Sequence, residues 1–275
     1  MTPALHVPLI TPFTAAGDIA YDALEDLAGE VLAAGAQGLV ALGTTGEPES
    51  LDDAERGRVV EVVGRVCRAA GARFVVGVGD GRRGLGAWTA APDAAMATVP
   101  AFVRPGEAGV VAHFTALAAR SPVPLLVYHV PYRTGQPLTA RALREVAAIP
   151  GVIGVKYAVG GIDAETVDLL GDRPDGFDVL AGDDVFAPAL LALGATGVIA
   201  ASAHLDTAQW AELTATGDRA LGHRLAARAA ALFREPNPTV IKAALHAAGR
   251  IPTPDVRLPL LPAGPGALAA VRLGT

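Results

Sequence analysis

The sequence predicts an α/β protein built as a (β/α)8 TIM barrel with a C-terminal helical extension. Three observations lead there. Short β-branched or apolar runs alternate with longer Ala/Leu/Arg/Glu segments of helical period, from the start of the chain to about residue 215. There are eight such runs, the number that closes a parallel barrel. The 275 residues also suit that fold, which takes about 250 and here leaves a tail. We assign residues 1–216 to the barrel and 217–275 to the extension, within one domain, because no repeat, low-complexity tract or linker divides the chain.

The expected strands are His6 to Thr11, Gly38 to Gly43, Arg73 to Gly79, Ala94 to Val99, Pro124 to Val130, Val152 to Tyr157, Phe177 to Ala181 and Gly197 to Ala201. Helical signals fall between them. Asp22 to Ala34 is apolar at Leu24, Leu27, Val31 and Leu32, giving one buried stripe. Leu51-Asp52-Asp53 puts acids where a helix N-terminus favours negative charge, and Thr139 is placed to cap Ala140-Arg141-Ala142-Leu143. Between the third and fourth strands, Gly81 to Pro92 carries three glycines and a proline, so the crossover helix there should be short or missing. Residues from about Gly217 to Gly249 read as extra helices interrupted by Pro236 and Pro238.

Composition excludes several classes. Apolar residues make up 51% and charged residues 18%, which excludes disorder. The most apolar stretch, Ala187 to Leu205, is broken by Pro188, Gly194, Thr196, Gly197 and Ser202, so it reads as helix, turn and strand and not as a membrane span. The net charge of −6, with no basic run among aromatics, argues against nucleic acid and for a small-molecule partner. Met1 to Leu9 lacks the basic and apolar regions of a signal peptide, which points to the cytoplasm. Cys67, the single cysteine, falls in a helical pattern and is expected to be a buried apolar residue.

Lysine occurs only at Lys156 and Lys242; every other cationic side chain is arginine. Arginine can replace lysine where a cation is merely solvated or paired, but not where an amine must attack a carbonyl. Lys156 ends the apolar strand Val152-Ile153-Gly154-Val155-Lys156-Tyr157, in surroundings that disfavour an ammonium. An amine there can form an imine with a ketone, and the iminium then acts as an electron sink for making or breaking a bond beside the carbonyl. Lys242, in a helical stretch, is assigned to packing or an ion pair.

In such a barrel the active site gathers at the carboxyl ends of the strands. The second strand ends in Gly43-Thr44-Thr45-Gly46-Glu47, a tight turn that offers amides and hydroxyls to a carboxylate or phosphate, or is only a Gly-rich turn. The fifth ends in Tyr128-His129-Val130-Pro131-Tyr132-Arg133-Thr134-Gly135. Tyr128 there is either a phenolic proton carrier or core filling, and Arg133 either a carboxylate fork or a surface cation. Asp183-Asp184, after the seventh strand, could bind a cation but more simply opens a helix. The six histidines show no metal-binding spacing and no Gly-x-Ser-x-Gly elbow occurs, so neither metal chemistry nor a serine hydrolase is expected.

Gly43-Thr44-Thr45-Gly46-Glu47, Tyr128-x-x-Pro131-x-Arg133-Thr134-Gly135, Gly154-Val155-Lys156, Gly182-Asp183-Asp184 and Asn237-Pro238 occur in the order and approximate spacing of the dihydrodipicolinate synthase/N-acetylneuraminate lyase superfamily. The resemblance spans about Val7 to Leu260. It implies a class I aldolase or lyase without cofactor, in which Lys156 forms a Schiff base with pyruvate or a related 2-keto acid. Tyr128 would relay protons with Thr44, Thr45 would hold the keto-acid carboxylate, and Gly182 and Ile199 would line the pocket through their backbones. Arg133 matches the arginine that binds the second substrate's carboxylate in the synthases, which favours a synthase-like condensation. The other readings are a 2-keto-3-deoxy sugar acid aldolase or dehydratase, and an impaired barrel with a binding role. The resemblance also implies a homo-oligomer, dimer or tetramer.

Two features depart from the family. Its members usually carry a Tyr-Tyr pair after the fourth strand, whereas this chain has Pro100-Ala101-Phe102-Val103. Phe102 keeps the ring without the hydroxyl, which implies a different acceptor or a slower proton transfer. The short segment after the third strand lies where lysine-inhibited synthases build part of their allosteric pocket, so no inhibition by lysine is expected.

Overall fold

The computed structural model describes residues 4–273 except 83, 87 and 89. Eight parallel strands close a barrel in chain order: β1 Ala4–Pro8, β2 Gly38–Ala41, β3 Arg73–Gly77, β4 Ala94–Thr98, β5 Leu125–His129, β6 Val152–Tyr157, β7 Asp178–Ala181 and β8 Gly197–Ile199. Each pairs with the next, and β8 returns to β1 with His6 opposite Ile199. The helices are α1 Tyr21–Ala33, α2 Asp53–Ala70, α3 Gly106–Arg120, α4 Pro131–Thr134, α5 Ala140–Ala147, α6 Ala164–Gly171, α7 Ala187–Ala192, α8 Ala203–Thr216, α9 Arg219–Leu232, α10 Thr239–Ala247 and α11 Ala267–Leu273.

A strand covered on both faces must be apolar throughout, and alternation then divides its side chains between two cores. Val40, Val75, Met96, Leu126, Leu180 and Ile199 share the barrel interior. Their neighbours Leu39, Val76, Ala95, Val127, Val155, Val179 and Val198 belong to the outer core, against the helices. A third cluster joins Ile10 and Leu27 to Val240, Ile241 and Leu245 of α10, so the C-terminal helices are packed onto the barrel.

Helix starts follow local chemistry. Asp52 accepts from the Glu55 amide while the Glu55 carboxylate accepts from the Asp52 amide, a reciprocal cap on α2. Thr139 accepts from the Ala142 amide at the start of α5. The expectation of a short or missing crossover helix falls partly on residues 83, 87 and 89, outside the described residues; the described residues from Gly81 to Pro92 hold no helix. Cys67 is buried, and burial pushes its thiol up to about 12. Among the described residues no helix is long and apolar enough to cross a membrane.

Candidate active site

Strand register determines what meets at the carboxyl end of the barrel. Lys156 on β6 stands directly opposite Tyr128 on β5, and Tyr128 opposite Thr98 on β4. Lys156 and Tyr128 therefore point into the barrel together, while His129, next in sequence, turns outward beside Tyr157. The Lys156 side chain is 5% exposed, and its Nζ lies 4.4 Å from the centre of the Tyr128 ring. Its aliphatic stem runs over Gly182: a Cβ there would stand 2.7 Å from Lys156 Cγ and 2.9 Å from Cε.

A cavity of about 420 Å³ opens above this amine. Thr44 and Thr45 reach it from the short helical turn Thr44–Gly46 that follows β2. That turn spends the Gly46 and Glu47 amides on the carbonyls of Gly43 and Thr44, so the two preceding amides have no bond within the turn. Tyr128, Arg133, Gly182 and Ile199 complete the expected set; all seven side chains or backbones expected at a site line this one cavity with Lys156 among them.

Two long-range contacts hold the Thr44-Thr45 turn. Asn237, between α9 and α10, donates through Nδ2 to Thr45 Oγ1 at 2.9 Å. This uses a lone pair of the hydroxyl and leaves its proton free for a carboxylate in the cavity. Glu47, just beyond the turn, is fully buried against Lys242 of α10, whose Nζ also donates to the Asp255 carbonyl and lies 4.0 Å from the centre of the Phe13 ring. Burial pulls the Lys242 ammonium below the usual lysine range, with Glu47 opposing. The second lysine is thus the buried half of an ion pair and is not among the residues lining the cavity.

The paired acids after β7 correct the sequence reading. They do not cap a helix: α7 begins after Phe186, whose side chain makes no capping bond. Asp183 instead accepts from the Tyr132 hydroxyl at 3.0 Å and from the Gly160 amide at 2.6 Å. Asp184 is buried and accepts from the Ser202 amide at 2.6 Å. Burial pushes its carboxyl up to about 6, opposed by the Ser202 bond and by Lys156. Tyr132 and Asn237 are cavity residues that sequence reasoning gave no role, and Asp183 and Asp184 are cavity residues it gave a different one; Asn237 carried a signal through the Asn237-Pro238 motif, and the two acids through Gly182-Asp183-Asp184. Phe102 is not among the cavity-lining residues of its own chain; it is 96% exposed at a φ of 67°.

The sequence profile of the dihydrodipicolinate synthetase family matches residues 2–271. The chain belongs to that family. It is an enzyme family of the class I aldolase and lyase type, consistent with a lysine amine at the floor of the cavity. The 4-hydroxy-tetrahydrodipicolinate synthase of Neisseria meningitidis serogroup C is 34% identical, with 97% of this chain and 95% of that protein covered. The synthase of Sorangium cellulosum is 36% identical, over 93% and 89%. Among solved structures, the dihydrodipicolinate synthase of Thermotoga maritima superposes with a TM-score of 0.91 at 26% identity, covering 100% of this chain and 97% of that one. The chloride-inhibited enzyme of Acinetobacter baumannii, complexed with pyruvate, gives 0.90 at 28%, over 100% and 98%.

Proposed function

We propose that this family member condenses pyruvate, held as an imine on Lys156, with an aldehyde, as a 4-hydroxy-tetrahydrodipicolinate synthase does. The observation that carries the reading is the register that buries the Lys156 amine beside the Tyr128 ring at the floor of a cavity. The neutral amine adds to the keto carbon, and loss of water leaves an iminium. Loss of a methyl proton then gives an enamine, whose carbon bonds to the aldehyde carbon while the aldehyde oxygen takes up a proton. The partner's own amino group then adds to the iminium carbon, closing the ring as a cyclic imine and expelling the Lys156 amine.

The other residues take roles that fit their positions. The Thr45 hydroxyl, oriented by Asn237, and the amides of the turn hold the keto-acid carboxylate. Tyr128, directly across the ladder from Lys156, exchanges the protons of imine formation and condensation, with Thr44 beside it. Gly182 and Ile199 offer backbone to the bound keto acid, and Arg133 binds the carboxylate of the aldehyde partner. Tetrahydrodipicolinate is a seven-carbon nitrogen-containing dicarboxylate; subtracting the three carbons of pyruvate leaves a four-carbon amino acid aldehyde as that partner. The test is pyruvate consumption that depends on L-aspartate 4-semialdehyde and is lost in Lys156→Ala. Consumption that persists in the variant contradicts the reading.

The working form is proposed to be a homo-oligomer. Phe102 and Val103 are 96% and 61% exposed, and the loop bearing them is tied to α4 by the Phe102 amide on the Thr134 carbonyl. An exposed ring held out by a left-handed backbone suits burial against a second copy of the chain. Sedimentation should show a dimer or tetramer that Phe102→Ser weakens; a wild-type monomer contradicts this part of the reading.

A further inference from the structure

We propose that the amino end of the barrel, the mouth opposite Lys156, is a second binding site that takes a small zwitterion with an apolar body, such as an apolar α-amino acid. The proposal does not depend on the imine reading, because of the residues it uses only Ile199 also lines the carboxyl-end cavity. A cavity of about 1150 Å³ opens at the amino end. Alternation along the strands decides which side chains enter it. On β3, Arg73 shares the inner face with Val75, while Phe74 and Val76 belong to the outer core. On β7, Asp178 shares the inner face with Leu180, while Val179 points outward. His6 on β1 lies between the outward Leu5 and Val7 and so faces inward too.

Closure of the barrel in chain order puts β3 and β7 on opposite walls, with β1 midway between them. The mouth therefore carries a cation on one wall and an anion on the other. Among the described residues neither Arg73 nor Asp178 belongs to an ion pair. His6, between them, is 4% exposed, and its Nδ1 has no hydrogen-bond partner, so the fold alone leaves this group unsatisfied. The ring adds no charge at neutral pH. Burial holds its pKa down to about 4, with Arg73 adding to the effect and Asp178 and the Val198 backbone opposing it. Gly38 makes room for the ring: a Cβ there would stand 2.5 Å from His6 Cδ2. Three other charged residues line the cavity. Asp93 accepts from the Phe74 amide at 2.7 Å, Arg173 donates to the Phe177 carbonyl at 2.7 Å, and Arg68 lies in the last turn of α2. Val75, Leu126, Leu180 and Ile199 form an apolar floor. A simple anion in this mouth meets Asp178, and a simple cation meets Arg73. A ligand with both charges satisfies both walls, and its apolar part takes the floor out of water.

The experiment is calorimetric titration of the full chain with L-leucine and L-phenylalanine. Two analogues of leucine accompany them: 4-methylpentanoate, which lacks the ammonium, and 3-methylbutylamine, which lacks the carboxylate. At least one amino acid should saturate the protein with a Kd of about 1 mM or below, and each singly charged analogue should bind at least about tenfold more weakly. Arg73→Gln and Asp178→Asn should each weaken the amino acid by about tenfold or more, while both variants still capture pyruvate on Lys156 at the rate of the wild type. No saturation by either amino acid up to about 10 mM overturns the proposal. So does a singly charged analogue that binds as tightly as leucine, a comparison made on the wild type and independent of how the variants fold. Binding that survives either substitution unchanged places the ligand elsewhere and overturns it as well.

Discussion

Replacing Gly182 by alanine should disable Lys156 while leaving the lysine itself in the sequence. The added methyl would stand 2.7 Å from Lys156 Cγ, 2.9 Å from Cε and 3.1 Å from Ala158 Cβ. Non-bonded carbons settle at about 3.5–4.0 Å, so the lysine stem must shift by roughly 1 Å. Displacement of a reacting group by that distance costs on the order of a hundredfold in rate. The strain itself should cost about 1–3 kcal/mol of stability, because the lysine is buried and the added methyl is crowded by Ala158 as well. The assay is the rate at which borohydride captures pyruvate on the protein, with urea unfolding run in parallel. A variant that remains folded but is captured on the order of a hundredfold more slowly is expected. Capture within about twofold of wild type would refute the argument that Gly182 is needed for the path of Lys156.

Three further perturbations test other parts of the account. Glu47→Gln leaves the Lys242 ammonium buried without its carboxylate and should cost about 3–5 kcal/mol in urea unfolding, whereas a loss under about 1 kcal/mol would contradict the buried pair. Asn237→Ala removes the donor on Thr45 Oγ1 and should raise the KM for pyruvate by roughly tenfold with a smaller change in kcat; an unchanged KM would show that Thr45 needs no orienting partner. His204 gives the pH test. Its Nε2 accepts from the Ile10 amide, so Nδ1–H donates to the Ala201 carbonyl, and burial holds its pKa down to about 4. A depressed base binds fewer protons folded than unfolded, so stability is lost as pH falls from about 6.5 towards 4, by up to about 3 kcal/mol from this group. Unfolding midpoints should drop across that window in the wild type and drop less in His204→Asn; parallel curves would contradict the assignment.

The barrel was legible because a strand covered on both faces leaves an unbroken apolar run, and each of the eight runs became a strand within the expected bounds or beside them. Six of the strands stop short of the expected carboxyl end, β6 and β7 ending where expected; in β2, Leu42 leaves the strand with a φ of 54°, and the chain then enters the Thr44–Gly46 turn. Lys156 and Tyr128 could be placed because strand ends converge in a barrel and lysine is scarce here. The pairings that shape the site could not. Tyr132 and Asp183 lie 51 residues apart, Thr45 and Asn237 192, and Glu47 and Lys242 195. Such contacts arise from closing the barrel and packing α10 onto it, and no local period records them. Asp183 and Asp184 show how a local rule misleads: acids before a helix suggest capping, yet here the loops offered better-placed amides and a phenol.

The central claim is that one of two lysines becomes covalently joined to a keto acid. The direct measurement is the peptide mass map of the protein incubated with pyruvate and reduced with borohydride. A carboxyethyl group on Lys156, with Lys242 unmodified in its ion pair, is the expected result. An unmodified Lys156, or modification of Lys242 in its place, would contradict the account.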